Sequence, residues 1–353
     1  MSRSVEPRPG VRDVEPYISP QMPVPVRLNT NECPHPLPEA FMVDLAETIR
    51  SLPLNRYPDG QMTRLREGLA DHVGHPFEGT WTANGSNEVL TELLLAYGGP
   101  GRTALVFEPT YLLHARLTRL TSTELASIRI EEPFVIGDRA IGETAAADPD
   151  VVFVCSPNNP TGNVQPLAAT RALAETLDAL VIVDEAYVEF GGESALPLIA
   201  DHPNVVVTRT FSKAFSLAGA RIGYALAAPE VVDDLQRVRL PYHMSALTQA
   251  AGIVALRHLP EALTLLDAIR AQRDRIVDRL GVMPGVTAYP SDANFVLFTP
   301  PPQRETTDVW QALLDRGVLI RDLTSVVPRA LRVTAGTEDE TTRFLDALTE
   351  VLA

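Results

Sequence analysis

The stretch Thr210-Phe211-Ser212-Lys213-Ala214-Phe215-Ser216-Leu217-Ala218-Gly219-Ala220-Arg221 places one lysine among hydroxyls and small residues directly after an apolar run. A lysine at a strand-end turn is poorly placed for solvation and well placed to form a Schiff base with an aldehyde cofactor. The neighbouring hydroxyls of Thr210 and Ser212 and the guanidinium of Arg221 can hold a phosphate. The same residues also make an ordinary strand-to-loop turn, so this segment alone decides nothing.

A second segment, Val181-Ile182-Val183-Asp184-Glu185-Ala186-Tyr187, ends an apolar run on a carboxylate and follows it with a phenol. Asp184 at a sheet edge can keep a pyridine nitrogen protonated, which makes the ring an electron sink, and Tyr187 can hydrogen-bond a phenolic oxygen on that ring. An aspartate that caps the next turn reads the same way. An Asp-Glu pair after a strand also suggests a metal-dependent ATPase, but the chain has no G-x-x-x-x-G-K-[ST] loop, and no metal is expected. A third segment, Ser156-Pro157-Asn158-Asn159-Pro160-Thr161-Gly162, is built of turn formers, and its position lets Asn159 reach the oxygen that Tyr187 contacts. A fourth, Ala83-Asn84-Gly85-Ser86-Asn87-Glu88, opens an apolar helix, where the backbone amides of Ser86 and Asn87 can bind an anion at the positive helix end. It also reads as a plain helix start.

These segments need a frame that brings them to one edge. Helical patterns at Glu39 to Ser51, Gln61 to Val73 and Ser86 to Tyr97 alternate with short apolar runs at Thr103 to Phe107, Val151 to Cys155, Leu180 to Val183 and Asn204 to Thr208. Runs of that kind predict buried parallel strands in an open α/β sheet, with ligands beyond the carboxyl ends of the strands. After Leu240 the pattern changes to two long helical stretches, His243 to His258 and Glu261 to Leu280. A strand at Asn294 to Phe298, a helix near Thr307 to Arg316, short strands and a closing helix follow. The expected organisation is an extended arm over residues 1–38, a large α/β domain over 39–240 and a smaller α+β domain over 241–353.

Composition narrows the partners. The 353 residues suffice for two domains with cores of their own. The net charge of −15, from 45 acidic and 30 basic side chains, disfavours nucleic acid and anionic membranes. An anionic substrate then needs local arginines, of which Arg221, Arg321 and Arg332 are candidates. Two cysteines are too few for a disulfide framework, and there is no signal-peptide core or membrane-length apolar stretch. A cytoplasmic location is expected.

In this order, the four segments resemble the aminotransferases of the aspartate aminotransferase fold, over most of the chain. That resemblance implies fold type I of the pyridoxal-phosphate-dependent transferases: a large domain with a mostly parallel sheet between helices, and a smaller α+β C-terminal domain. It implies pyridoxal 5'-phosphate on Lys213, with Gly85, Ser86, Asn87, Asn159, Asp184, Tyr187, Thr210, Ser212 and Arg221 around the cofactor. Tyr111, in Glu108-Pro109-Thr110-Tyr111, would stack on the ring, and Tyr57 would reach the cofactor phosphate of a neighbouring subunit, which implies a homodimer.

More narrowly, the chain resembles the histidinol-phosphate aminotransferases. The resemblance is carried by Arg27-Leu28-Asn29-Thr30-Asn31-Glu32, Arg56-Tyr57-Pro58-Asp59, Leu240-Pro241-Tyr242-His243-Met244-Ser245, Ser291-Asp292-Ala293-Asn294-Phe295 and Leu319-Ile320-Arg321-Asp322. It implies transfer of an amino group between L-histidinol phosphate and 2-oxoglutarate. Arg332, with Asn159 nearby, would meet a substrate carboxylate, and Arg321 with Tyr17 a distal phosphate. Guanidinium forks suit both anions. Two departures border that pocket: Cys33 where the family commonly has asparagine, and the long, glycine-free segment between Arg321 and Arg332. An aromatic amino-acid aminotransferase of the same family is the alternative, and it would leave Arg321 without a phosphate.

Overall fold

A computed structural model describes residues 5–12, 14, 16 and 21–353. Strand β1 (Val26–Arg27) precedes a central sheet of β2 (Thr80–Ala83), β3 (Thr103–Glu108), β4 (Glu124–Arg129), β5 (Val151–Cys155), β6 (Leu180–Asp184), β7 (Val205–Thr210) and β8 (Gly223–Leu226). The order across the sheet is β2-β8-β7-β6-β5-β3-β4, and only β8 runs against its neighbours. The mostly parallel sheet expected from the apolar runs is therefore present.

β5 and β6 are buried at every position, as strands covered by helices on both faces must be. Register does the rest. Cys155 pairs with Asp184 and Asp184 with Thr208, so the loops after β5, β6 and β7 leave the sheet side by side at its carboxyl edge. The turn containing Asn159, the carboxylate of Asp184 and the loop carrying Lys213 thus emerge together.

Two features depart from the apolar-run expectation. β7 continues two residues past Thr208, because Arg209 is held inside by Glu185: Nη2 and Oε2 lie 2.9 Å apart, with side-chain exposures of 12% and 1%. Burying this pair is tolerable because Ser194 Oγ and the Ala195 amide also donate to Glu185. The second is the antiparallel pair β2–β8, four residues each. β2 (Thr-Trp-Thr-Ala) buries two threonines, and Thr82 Oγ1 donates to the Gly223 carbonyl at 2.9 Å. These short strands, like the edge strand β4 (Glu-Leu-Ala-Ser-Ile-Arg), lack the longer apolar run by which β3, β5, β6 and β7 were expected.

A second sheet, β12-β13-β10-β9, is wholly antiparallel and comprises β9 (Thr287–Ala288), β10 (Phe295–Thr299), β12 (Arg321–Asp322) and β13 (Leu331–Thr334). β11 (Val318–Leu319) instead pairs in parallel with β1. The Leu28 amide donates to the Leu319 carbonyl, and the Thr334 amide to that of Leu28. Residues 26–31 are thereby stitched along this part of the molecule, and they deliver Asn29, Thr30, Asn31 and Glu32 to the carboxyl edge of the central sheet.

Candidate active site

A cavity of about 340 Å³ lies where the carboxyl edge, the 29–32 segment and the second sheet meet. That is within the range of small-ligand sites. Ser86, Asn87, Tyr111 and Asn159 line it, as do Asp184, Tyr187, Thr210, Ser212 and Lys213. Arg221, Arg321 and Arg332 complete the set, so nearly all the candidate residues converge. Tyr57 lies elsewhere, 81% exposed and stacked on Tyr242 with ring centroids 4.5 Å apart. Tyr17 is outside the described residues.

Lys213 Nζ donates to the Thr30 carbonyl at 3.2 Å. Its pKa is lowered to about 8, first by burial and then by the positive charges of Arg332 and Arg221, against which Glu32 and Asp184 act. The lowered value enlarges the neutral fraction near physiological pH, the form that nucleophilic and proton-transfer chemistry requires.

Asp184 ends β6 at 2% exposure, a position reached because four apolar residues before it fill the sheet interior. Its Oδ2 lies 2.9 Å from His114 Nε2, and the Ala186 amide donates to Oδ1. His114 is fully buried, stacked on Phe153 at 4.7 Å and met edge-on by Tyr111 at 5.5 Å. A carboxylate braced in this way presents a fixed negative charge to the cavity.

Tyr187 Oη accepts from Asn31 Nδ2 at 3.0 Å and from Asn159 Nδ2 at 3.4 Å, and burial pushes its pKa up to about 12. Asn31 adopts φ 56° and is pinned by Thr334, whose Oγ1 donates to its Oδ1 at 2.9 Å. The Asn159 amide links two groups at once. While Nδ2 faces Tyr187, Oδ1 accepts from Arg332 Nη1 at 2.5 Å, and Arg332 Nη2 donates to the Asn29 carbonyl at 3.0 Å. Arg332 also lies over the Phe295 ring, 5.0 Å from its centroid.

An anion cradle occupies the other end. The helix Ser86–Tyr97 starts on Gly85 at φ 86° without a side-chain cap, which leaves its first amides for a ligand. Thr210 Oγ1 donates to Ser212 Oγ, which also accepts from Arg221 Nη1 at 3.2 Å. The packing admits no side chain at two glycines. A Cβ on Gly85 would stand 2.5 Å from Arg221 Nη2, and one on Gly223 would stand 2.0 Å from the Ser86 nitrogen. Amides, hydroxyls and a guanidinium around a gap, with a lysine and a braced carboxylate beyond, fit the phosphate, aldehyde and ring nitrogen of pyridoxal phosphate.

Arg321 lines the cavity with no hydrogen bond or ion pair among the described residues. It does not pair with Asp322, whose Oδ1 accepts instead from the Thr324 amide and hydroxyl, at 2.8 and 2.7 Å. His114 and Asn31 are site groups absent from the sequence expectations. Asn31 sits in a quoted motif, whereas the surroundings of His114, Leu112-Leu113-His114-Ala115-Arg116-Leu117, are ordinary helix sequence with no local signal.

The model of the family described as aminotransferase class I and II matches residues 23–348. Among curated relatives, the histidinol-phosphate aminotransferase of Thermobifida fusca is 48% identical over 351 residues, 97% of this chain and 94% of the relative. Among solved structures, histidinol-phosphate aminotransferase from Sinorhizobium meliloti, in complex with pyridoxal-5'-phosphate, superposes with TM-score 0.89 at 23% identity, covering 99% of this chain and 98% of that one. A mutant of Thermus thermophilus aspartate aminotransferase gives 0.84 at 23% identity, covering 98% and 99%. Those two likenesses speak to fold. The family match along almost the whole length, joined to near-half identity with a curated relative, makes this chain a member of the class I and II aminotransferases.

Proposed function

We propose that this chain exchanges an amino group between L-histidinol phosphate and 2-oxoglutarate, using pyridoxal phosphate on Lys213, and that it works as a cytoplasmic homodimer. The observation that carries the substrate reading is Arg321, which has no partner among the described residues, beside the anchored Arg332 in one cavity. Two guanidinium groups there suit a substrate pair in which the donor bears a phosphate and the acceptor bears carboxylates. The names of the curated relatives support the same reading.

When bound, pyridoxal phosphate supplies an aldehyde for the amine and a ring that delocalises the electron pair left when the substrate carbon loses its proton. The protein's own groups do the remainder. The amides of Ser86 and Asn87, the hydroxyls of Thr210 and Ser212, and Arg221 bind the phosphate. Tyr111 packs on the ring, and Asp184, braced by His114, keeps the ring nitrogen protonated. Tyr187 and Asn159 hydrogen-bond the ring oxygen. Lys213 Nζ would take the proton from the amine-bearing carbon of the substrate and return it to the cofactor carbon that carried the aldehyde, a task suited to an amine of lowered basicity. Arg332 holds the carboxylate of the acceptor, and Arg321 the phosphate of the donor.

The test is an absorbance titration of protein loaded with pyridoxal phosphate. Bleaching of the yellow band at lower concentrations of L-histidinol phosphate than of L-phenylalanine is expected. Preference for phenylalanine would move the assignment to an aromatic aminotransferase, and failure to form the band would remove Lys213 from its role.

A further inference from the structure

Among the described residues, the cavity is lined by four cationic side chains and two acidic ones, Asp184 and Glu32. Asp184 is buried and already engaged by His114 and the Ala186 amide. Glu32 has no hydrogen bond or ion pair among the described residues, although its negative charge is near enough to oppose the lowering of Lys213. Its backbone is held in place by its neighbour: Asn31 is fixed through Tyr187 and Thr334, and its carbonyl accepts from Asn294 Nδ2 at 3.2 Å. Leu112, Leu323 and Val326 supply apolar wall to the same cavity.

Such a lining suits a ligand with an anion at one end and a flat group bearing an N–H at the other. Imidazole offers a donor in either protonation state, and two when protonated. Phenyl offers none, and packing it against Glu32 would strip water from a carboxylate without replacing the lost hydrogen bonds. One acceptor therefore favours the right ring and penalises the wrong one. We infer that Glu32 is a specificity-determining residue that accepts a hydrogen bond from the imidazole N–H of the substrate. The inference rests on the histidinol-phosphate reading above.

Amine-free phosphate esters isolate this contact, because they cannot react with the cofactor or with Lys213. Calorimetric titration of loaded wild type and Glu32→Ala with imidazolylpropyl phosphate and phenylpropyl phosphate gives four affinities. Wild type should prefer the imidazole ester, and Glu32→Ala should lose roughly tenfold or more of that preference, the worth of one charge-assisted hydrogen bond. An equal change for both esters, or no change for either, would overturn the inference while leaving the substrate reading intact. A wild type that binds the imidazole ester no better and does not react with histidinol phosphate would overturn both. Glu32→Gln, which keeps an acceptor oxygen and loses the charge, should fall between wild type and Glu32→Ala.

Discussion

Arg321 and Arg332 are Cα partners across the antiparallel pair β12–β13, so two guanidinium side chains leave directly opposed positions beside one cavity. Like charges in that relationship repel. Arg332 is drawn off by Asn159 and the Asn29 carbonyl, while Arg321 has no partner among the described residues. Among the described residues, no side chain offsets the charge on Arg321. A bound anion does.

Replacing Arg321 by methionine, which keeps apolar bulk and removes the fork, should therefore weaken a phosphate-bearing donor selectively. The expected cost is one charge-assisted contact, roughly 10–100-fold in kcat/KM for histidinol phosphate, with kcat for phenylalanine little changed. Steady-state kinetics with both donors measures it. Equal losses for the two would show that Arg321 supports the pocket without reading the phosphate.

Lys213 gives a pH dependence whose direction follows from its setting. Burial and the nearby arginines favour the neutral amine, lowering the pKa from 10.5 to about 8. The neutral fraction falls below that value and saturates above it, so the rate at which cofactor-free protein takes up pyridoxal phosphate should rise with pH through about 8. Free lysine would need about two and a half further pH units. Stopped-flow absorbance reads the rate. After borohydride reduction, peptide mass spectrometry should find the cofactor on Lys213, and Lys213→Ala should show neither label nor turnover.

The phosphate cradle depends on backbone approach at Gly223, where an added Cβ meets the Ser86 nitrogen at 2.0 Å and the Gly85 carbonyl carbon at 2.2 Å. Backbone cannot yield as a side-chain tip can, so Gly223→Ala must push the start of the helix Ser86–Tyr97 away from β8. A loss of about 1–3 kcal/mol in stability is expected from overpacking, with cofactor affinity falling at the same time. Thermal unfolding with and without pyridoxal phosphate separates the effects: the stabilisation that wild type gains from cofactor should shrink in the variant.

Most of this site was legible in the sequence because its parts follow apolar runs. A run such as Leu180 to Val183, short, β-branched and alternating with helical patterns, reads as a buried strand, and the residue after it then falls at the sheet edge, where Asp184 is found. Lys213 follows β7 by the same logic. What could not be read are contacts between distant segments. Asn159 and Arg332 are 173 residues apart, and their hydrogen bond arises from how the second sheet lies on the first. His114 reaches Asp184 across 70 residues from an ordinary helix. β8 was invisible because four residues buried on both faces look like any short apolar stretch, and its reversed direction depends on pairing with β7 and β2.

Tyr57 presents the last test. It is outside the cavity and 81% exposed, within a surface region that also leaves Leu240 73% and Tyr242 47% exposed. Large apolar side chains left open together favour burial against another chain, and the proposed role of Tyr57 is to complete the cofactor site of a second copy. Sedimentation should find a dimer, and Tyr57→Phe should weaken cofactor binding while leaving that dimer intact. The decisive arrangement mixes two defective proteins. Lys213→Ala has no working lysine but an intact Tyr57, and Tyr57→Ala has the reverse. In a mixed dimer, one site receives Lys213 from one chain and Tyr57 from the other and is whole. Activity at low cofactor concentration should therefore return on mixing and subunit exchange. If Tyr57 serves its own chain, the mixture will show only the residual activity of the Tyr57→Ala protein.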